Sequence, residues 1–279
     1  MATLIRTNMI DLAPNNPYGL ALRSPVMAAA GCFGYGVEYA RMVDIERIGA
    51  IVTRSTTLRG RRAARPPQLI ETPAGLLVSG DWPDPGLERV LGRCAPDWAG
   101  WATPVLLSVA GESVEEYRAL AAAIEGVEGI AGLELNLAPH PEQAARIVAA
   151  VRAATLLPLL AKLPLAAGDC AGLAALGGAV ADAGADAITA IAAPRGLAAN
   201  SRGELAAGGL SGPALRPLAL AAVAELAAAV DLPIVGCGGI ASAGDARLFL
   251  AAGAAAVQVG AALLADPLAA ARIADELAG

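Results

Sequence analysis

The chain has 279 residues, is 56% hydrophobic and only 16% charged, and carries a net charge of −6. Such a chain can bury a large core, read here as one domain over 1–279; it is too apolar for a disordered polypeptide. It also lacks any basic stripe interleaved with aromatics that would suit nucleic acid. Cys32, Cys94, Cys170 and Cys237 are far apart, with no CxxC pair and a single histidine, so a structural zinc site is not expected. With no leader pattern at the N-terminus, a reducing, cytoplasmic location is expected.

In chain order, TNMIDLAPNNPYGLALRSP (7–25) reads as a hairpin ahead of the first barrel strand, placed across the bottom. Apolar runs follow at 25–30, 50–57, 104–111, 132–138, 157–164, 187–193, 232–239 and 256–264. Continuous apolar runs of this length are what strands buried on both faces look like. The cationic RGRRAARPP (59–67) reads as a solvated loop, or as a contact for an anionic ligand or an acidic partner surface. Helices fill the intervals. SVEEYRALAAAIEG (113–126) opens with a Ser113–Glu116 capping-box pattern. PEQAARIVAAVRAA (141–154) opens on proline and glutamate, both favoured in a first turn. In 214–230, Pro217 confines the helix start to its own turn. PRGLAANSRGELAAGGLSG (194–212) reads as a long loop, a lid or disordered. Residues 248–265 carry no charge, but Gly253, Gln258 and Gly260 interrupt them, so a helix end, a turn and a strand are expected rather than a membrane span.

Eight strands alternating with eight helices are the pattern of an α/β fold, the (β/α)8 TIM barrel, with a doubly wound open sheet as the alternative. Chemistry in such barrels collects at the C-terminal strand ends. The last two strands end in GCGGI (236–240) and QVGAAL (258–263). Glycine there lets backbone N–H groups approach a phosphate, and a following helix N-terminus favours its charge. A phosphorylated cofactor or a sugar phosphate is expected. Lys162, in LPLLAKLPLAAG (157–168), is the only lysine among 20 basic residues.

The stretches AAGCFGYGVEYA (29–40), RSTTLRGRRAARPPQLIETPAGLL (54–77), GLELN (132–136), LPLLAKL (157–163), GGLSGPALRP (208–217), LPIVGCGGI (232–240) and VQVGAALL (257–264) resemble dihydroorotate dehydrogenases, FMN-dependent barrels of pyrimidine synthesis. ETPAGLL followed by DPGLE (84–88) looks most like the class 1 branch that works with an iron–sulfur flavoprotein subunit. The resemblance implies FMN held by Gly238, Gly239, Gly260 and Ala261, with Gly212 beside them. It implies Ala30 and Gly31 along the isoalloxazine, Ser55 as a further contact, and Lys162 at the flavin N1 edge. It also implies a homodimer and that partner subunit.

The substrate half departs from the family pattern. Where the family has a loop like N-x-S-C-P-N with the cysteine as base, this chain has NLAPHPEQ (136–143). Asn136 is retained and the cysteine is absent. Val78 stands where an asparagine is expected, Ala192 and Ala193 replace an Asn-Ser/Thr pair, and Arg54 replaces a lysine. Asp81, Trp82 and Asp84 could reshape the pocket or fill it. Arg54 and Asn136 remain candidates for binding a small anionic substrate. His140, near the missing cysteine, is either a replacement base or an exposed loop residue. Cys32 and Cys237 could approach the flavin, and read as small buried residues. The leading expectation is an FMN-dependent oxidoreductase of this family. The alternatives are a diverged flavin enzyme on another small anion, a noncatalytic paralogue or partner subunit, and a flavin-free barrel holding a sugar phosphate.

Overall fold

The computed structural model describes residues 9–79, 83–165 and 171–279. In chain order the strands are β1 (Ile10–Asp11), β2 (Ala21–Leu22), β3 (Val26–Ala28), β4 (Ala50–Val52), β5 (Leu69–Thr72), β6 (Gly75–Ser79), β7 (Val105–Val109), β8 (Gly132–Asn136), β9 (Leu159–Pro164), β10 (Ala187–Ala192), β11 (Arg195–Ala199), β12 (Leu205–Ser211), β13 (Ile234–Cys237) and β14 (Ala256–Val259). The helices are α1 (Leu87–Trp98), α2 (Val114–Ile124), α3 (Ala144–Arg152), α4 (Ala171–Asp182), α5 (Arg216–Ala229), α6 (Ala243–Ala251), α7 (Ala262–Ala265) and α8 (Ala269–Ala278).

Eight parallel strands close on themselves in the order β3-β4-β7-β8-β9-β10-β13-β14, so the barrel holds and the open-sheet alternative falls. The expected apolar runs all contain one of these strands. Their side chains alternate with period two. Val26, Ile51, Leu107, Leu133 and Ile188 belong to the larger core shared with the helices, while Met27, Val52, Leu106, Leu160, Ala187, Val235 and Ala256 form the inner cluster. The expected hairpin is β1–β2. Its Leu12, Leu20 and Leu22 join that inner cluster at exposures of 0–2%, so the hairpin plugs the barrel bottom. Each such leucine contributes roughly 1.5–3 kcal/mol by leaving water.

Helix ends follow the sequence signals closely. Ser113 accepts from Glu116 N at 3.3 Å, but the Glu116 carboxylate reaches Glu112 N rather than Ser113 N. Pro217 lies in the first turn of α5. The 248–265 segment resolves into the end of α6, a turn, β14 and α7. No helix of the described residues is long and apolar enough to cross a membrane.

Two expectations are corrected. The β3–β4 connection has turns and a short 3-10 helix at Ile45–Arg47 instead of an α-helix, while β14 is followed by both α7 and α8. Residues 194–212 are not a loop. They contain the antiparallel hairpin β11–β12, which joins β6 and β5 in a four-stranded sheet ordered β11-β12-β6-β5. Glycine permits the close β6–β12 approach: a Cβ on Gly75 would stand 2.1 Å from the Ser211 carbonyl oxygen.

Candidate active site at the C-terminal strand ends

Two residues above the inner apolar cluster, the same alternation turns polar. Ser108, Glu134, Lys162, Thr189 and Gln258 are all buried there. Register brings them together, with Ser108 opposite Glu134 and Lys162 opposite Thr189. Lys162 Nζ donates to Glu134 Oε1 at 3.3 Å and to Gln258 Oε1 at 3.0 Å. The other Glu134 oxygen accepts from Gln258 Nε2 at 2.6 Å and Thr189 Oγ1 at 3.1 Å. The carboxylate therefore meets donors from three other strands.

Burial works against the Lys162 charge, but Cys237, Glu134 and Cys32 outweigh it and raise its pKa. Burial also raises the Cys237 thiol, which leaves it neutral. The charge that holds the ammonium near neutrality is thus the Glu134 carboxylate. Burial, followed by Cys237, pushes the Cys32 thiol up to about 11. Both thiols face the cavity as neutral groups.

Lys162 opens into a cavity of about 350 Å³ at the C-terminal end of the barrel. That volume is ordinary for a small-ligand site. Ala30 and Gly31 follow β3 along one side, Gly238 and Gly239 follow β13, and Gly260 and Ala261 follow β14; all six line the cavity. Ser55, Gly212, Arg54 and Asn136 line it too. His140 does not: its Nε2 donates to the Gly111 carbonyl at 3.2 Å.

The glycines are backbone devices. Gly239 has φ +72°, and a Cβ there would lie 2.7 Å from Arg216 Cβ and 2.9 Å from the Gly212 carbonyl oxygen. Gly238 at φ +138° would meet Ala219 Cβ at 2.8 Å. One part of the phosphate expectation changes. The α6 N-terminus is already capped: Ser242 Oγ accepts from Asp245 N, and Asp245 accepts from Ala241 N and Ser242 N. The helix after β14 is the single turn α7. At β14 the cavity-lining Ala261 is itself the N-cap of α7.

The segment after β4 is pinned from below. Asp84 Oδ1 accepts from Thr57 N, Thr57 Oγ1 and Gly86 N, each at 3.1 Å, and Asp84 Oδ2 pairs with Arg61 Nε at 3.1 Å. The Asp84 side chain is fully buried, so it anchors this segment instead of filling the cavity. Above it, Arg54 Nη1 donates to the Pro83 carbonyl at 3.2 Å, and Ser55 Oγ meets Ser108 Oγ at 2.9 Å. Arg61, from the cationic 59–67 cluster, lines the cavity. Sequence reading offered a ligand contact for that cluster without choosing the residue. It missed Glu134, Thr189 and Gln258, although counting by twos from Gly132, Ala187 and Ala256 reaches them. Asp81, Trp82 and Cys170 lie outside the described residues.

A closed parallel barrel carries glycine turns at the ends of the adjacent strands β13 and β14, and the buried Lys162 ammonium of β9 opens into the same cavity, which together define a (β/α)8 barrel with a site at its C-terminal strand ends. The family model for dihydroorotate dehydrogenase matches residues 13–279. The chain belongs to the dihydroorotate dehydrogenase family, and fold and family make it an oxidoreductase of that type. It is 41% identical over 276 residues to the catalytic subunit of dihydroorotate dehydrogenase B (NAD(+)) from Desulforudis audaxviator, covering 93% of this chain and 89% of that one. The corresponding subunit from Pelobacter propionicus is also 41% identical, with 93% and 90% covered. That from Citrifermentans bemidjiense is 38% identical, with 93% and 90% covered.

Proposed function

We propose that the protein is an FMN-binding catalytic subunit that oxidises or reduces a small anion and passes electrons to an iron–sulfur flavoprotein partner. One observation supports it most: Lys162, the glycine turns of β13 and β14, and the backbone at Ala30 and Gly31 converge on one cavity. That cradle fits FMN. Backbone at Gly238, Gly239, Gly260 and Ala261 would hold its phosphate, with Gly212 adjoining, and a side chain at Gly239 would collide with Arg216.

FMN, when bound, supplies a two-electron acceptor. The chain does the rest. Lys162 presents a fixed ammonium where negative charge on an occupant is stabilised, and its carboxylate partner keeps it protonated. Ser55 is held in place by Ser108. Arg54 and Asn136 orient the substrate anion. Because His140 is turned onto Gly111, no proton transfer is assigned to it. The relatives are named as NAD(+)-linked catalytic subunits, which supports a partner subunit here. Homodimerisation and a cytoplasmic location belong to the same reading.

The test is a visible spectrum of the purified protein, then anaerobic dihydroorotate. A yellow protein releasing FMN at about one per chain is expected. Colourless protein that takes up no FMN overturns the proposal. Yellow protein that dihydroorotate leaves oxidised retains the cofactor and excludes that substrate.

A further inference from the structure

We infer that Glu134 and Gln258 are positioning residues that act through Lys162. The ring they close takes two of its three N–H donors into the barrel and presents the third, on a charged nitrogen, to the cofactor. The inference rests on the FMN reading for what the ring serves, while the ring itself stands on geometry alone.

Three strands build the ring. Lys162 Nζ on β9 donates to Glu134 Oε1 on β8 and to Gln258 Oε1 on β14. Gln258 Nε2 closes it by donating to the other Glu134 oxygen at 2.6 Å. Gln258 thus touches both ions, accepting from the cation and donating to the anion. Its amide has one workable orientation, because the reverse would set an N–H donor against the ammonium. Thr189 Oγ1 supplies a second donor to the same Glu134 oxygen at 3.1 Å. Glu134, Thr189 and Gln258 are 0% exposed, and of the four only Lys162 lines the cavity. The other three can therefore act on an occupant only through the lysine. An ammonium has three donors. Two are used inside the barrel, which leaves one for the cavity.

The other titratable groups facing the nitrogen are the Cys237 thiol at the end of β13 and the Cys32 thiol after β3. Burial raises both, so they stay neutral. Ser108 of β7 is bonded to Ser55 and carries no charge. Arg54 and Arg61, the other charged side chains lining the cavity, are cations and give the ammonium no support. Among the described residues, Glu134 is therefore the charge that keeps Lys162 protonated. A buried cation deprived of such a partner gives up its proton. Without the Glu134 charge, Lys162 would meet the cofactor as a neutral amine. Without the Gln258 amide it would lose one acceptor and part of its aim.

The test exploits a property of the sequence: Lys162 is the only lysine. Protein grown with lysine labelled with carbon-13 beside the nitrogen gives one such NMR signal, whose shift with pH reads this charge alone. Glu134→Gln should make the lysine at least about tenfold more acidic than in the parent, and Gln258→Met should do so by a smaller factor. The second reading is sulfite binding to the FMN-loaded proteins, followed by bleaching of the visible flavin band. Sulfite bonds through its sulfur lone pair to the flavin and leaves negative charge on the ring, so its affinity reports the cation beside it. Glu134→Gln should bind sulfite at least about tenfold more weakly than the parent, and the gap should close as pH is lowered and the lysine recharges. A Glu134→Gln lysine as basic as the parent's, or a sulfite gap that does not change with pH, would overturn the inference. Gln258→Met that matches the parent in both readings would overturn the role given to Gln258. Should Glu134→Gln not fold, Gln258→Met carries the test through the same two readings. Failure of the FMN reading appears separately, as protein that takes up no flavin yet still shows the lysine shift.

Discussion

Lys162 and Glu134 form a buried ion pair inside the barrel, and the carboxylate helps to raise the lysine's pKa. Both are buried, and the lysine has its one carboxylate partner 3.3 Å away inside the barrel. Breaking such a pair leaves an uncompensated buried charge, which costs about 3–5 kcal/mol. Lys162→Met should therefore lower stability by about that amount and abolish FMN reduction, while adding Glu134→Gln should recover much of the stability and none of the reduction. Urea unfolding of the two variants separates these effects; a double variant no more stable than Lys162→Met would sink the coupling. Gly239→Ala tests the cradle differently. With φ +72° and Arg216 and Gly212 in the way, it should cost on the order of 1–3 kcal/mol and release FMN, read by unfolding and flavin fluorescence. Free FMN remaining low would count against the cradle. Lys162 was legible because a lone lysine in an apolar run stands out. Its partners were not, since Glu134 lay in a stretch read as a strand and Gln258 was read only as an interruption. His140 stood out by residue type and by its place near the missing cysteine, and its ring orientation toward the Gly111 carbonyl has no sequence signal.

At the scale of elements, the segment from β4 to α1 depends on one side chain. Asp84 accepts two backbone N–H groups and the Thr57 hydroxyl and pairs with Arg61. Gly60, at φ +87°, lets the chain pass within a Cβ's reach of the Asp84 carbonyl. Asp84→Ala should cost roughly 2–4 kcal/mol, because those donors lose a charged acceptor. It should also weaken FMN binding, since Arg54 and Ser55 ride on the same segment. Urea unfolding and an FMN titration read both, and a variant with parental values in each would refute the anchoring role. The sheet β11-β12-β6-β5 was illegible for a physical reason. RGLAA and LAAGGLS lack β-branched and aromatic residues and offer little contrast between faces. The β6–β12 pairing relies on close backbone approach at Gly75, which composition marks only as a loop. The barrel strands, buried on both faces, announced themselves as apolar runs.

At the scale of the molecule, the sequence pulse carried the architecture because every barrel strand must be covered by helices outside and packed side chains within. The β3–β4 connection broke the pulse: 29–49 is rich in turn-forming glycine, and its 3-10 turn covers the barrel without a full helix. The same dense packing shapes the response to alkali. Burial pushes Cys32 and Cys94 from 9.0 to about 11, and Tyr35 from 10.0 to about 12. For a thiol or phenol whose folded pKa is raised, the unfolded chain releases its proton first as pH rises. Between those values the native state holds more protons than the unfolded one, so stability falls with pH. Lys162 acts in the same direction, because a raised ammonium pKa loses its stabilising charge as pH climbs through the folded value. Well below pH 9, near neutrality, these groups contribute almost no slope. The thermal midpoint should therefore show no slope from these groups near neutrality and fall progressively from about pH 9 to about 11. Cys32→Ala should flatten part of that fall while leaving the neutral behaviour close to the parent. Differential scanning calorimetry across this range decides it. A midpoint that stays level to about pH 11, or a Cys32→Ala variant with an unchanged slope, would show that these thiols are not held neutral by the core.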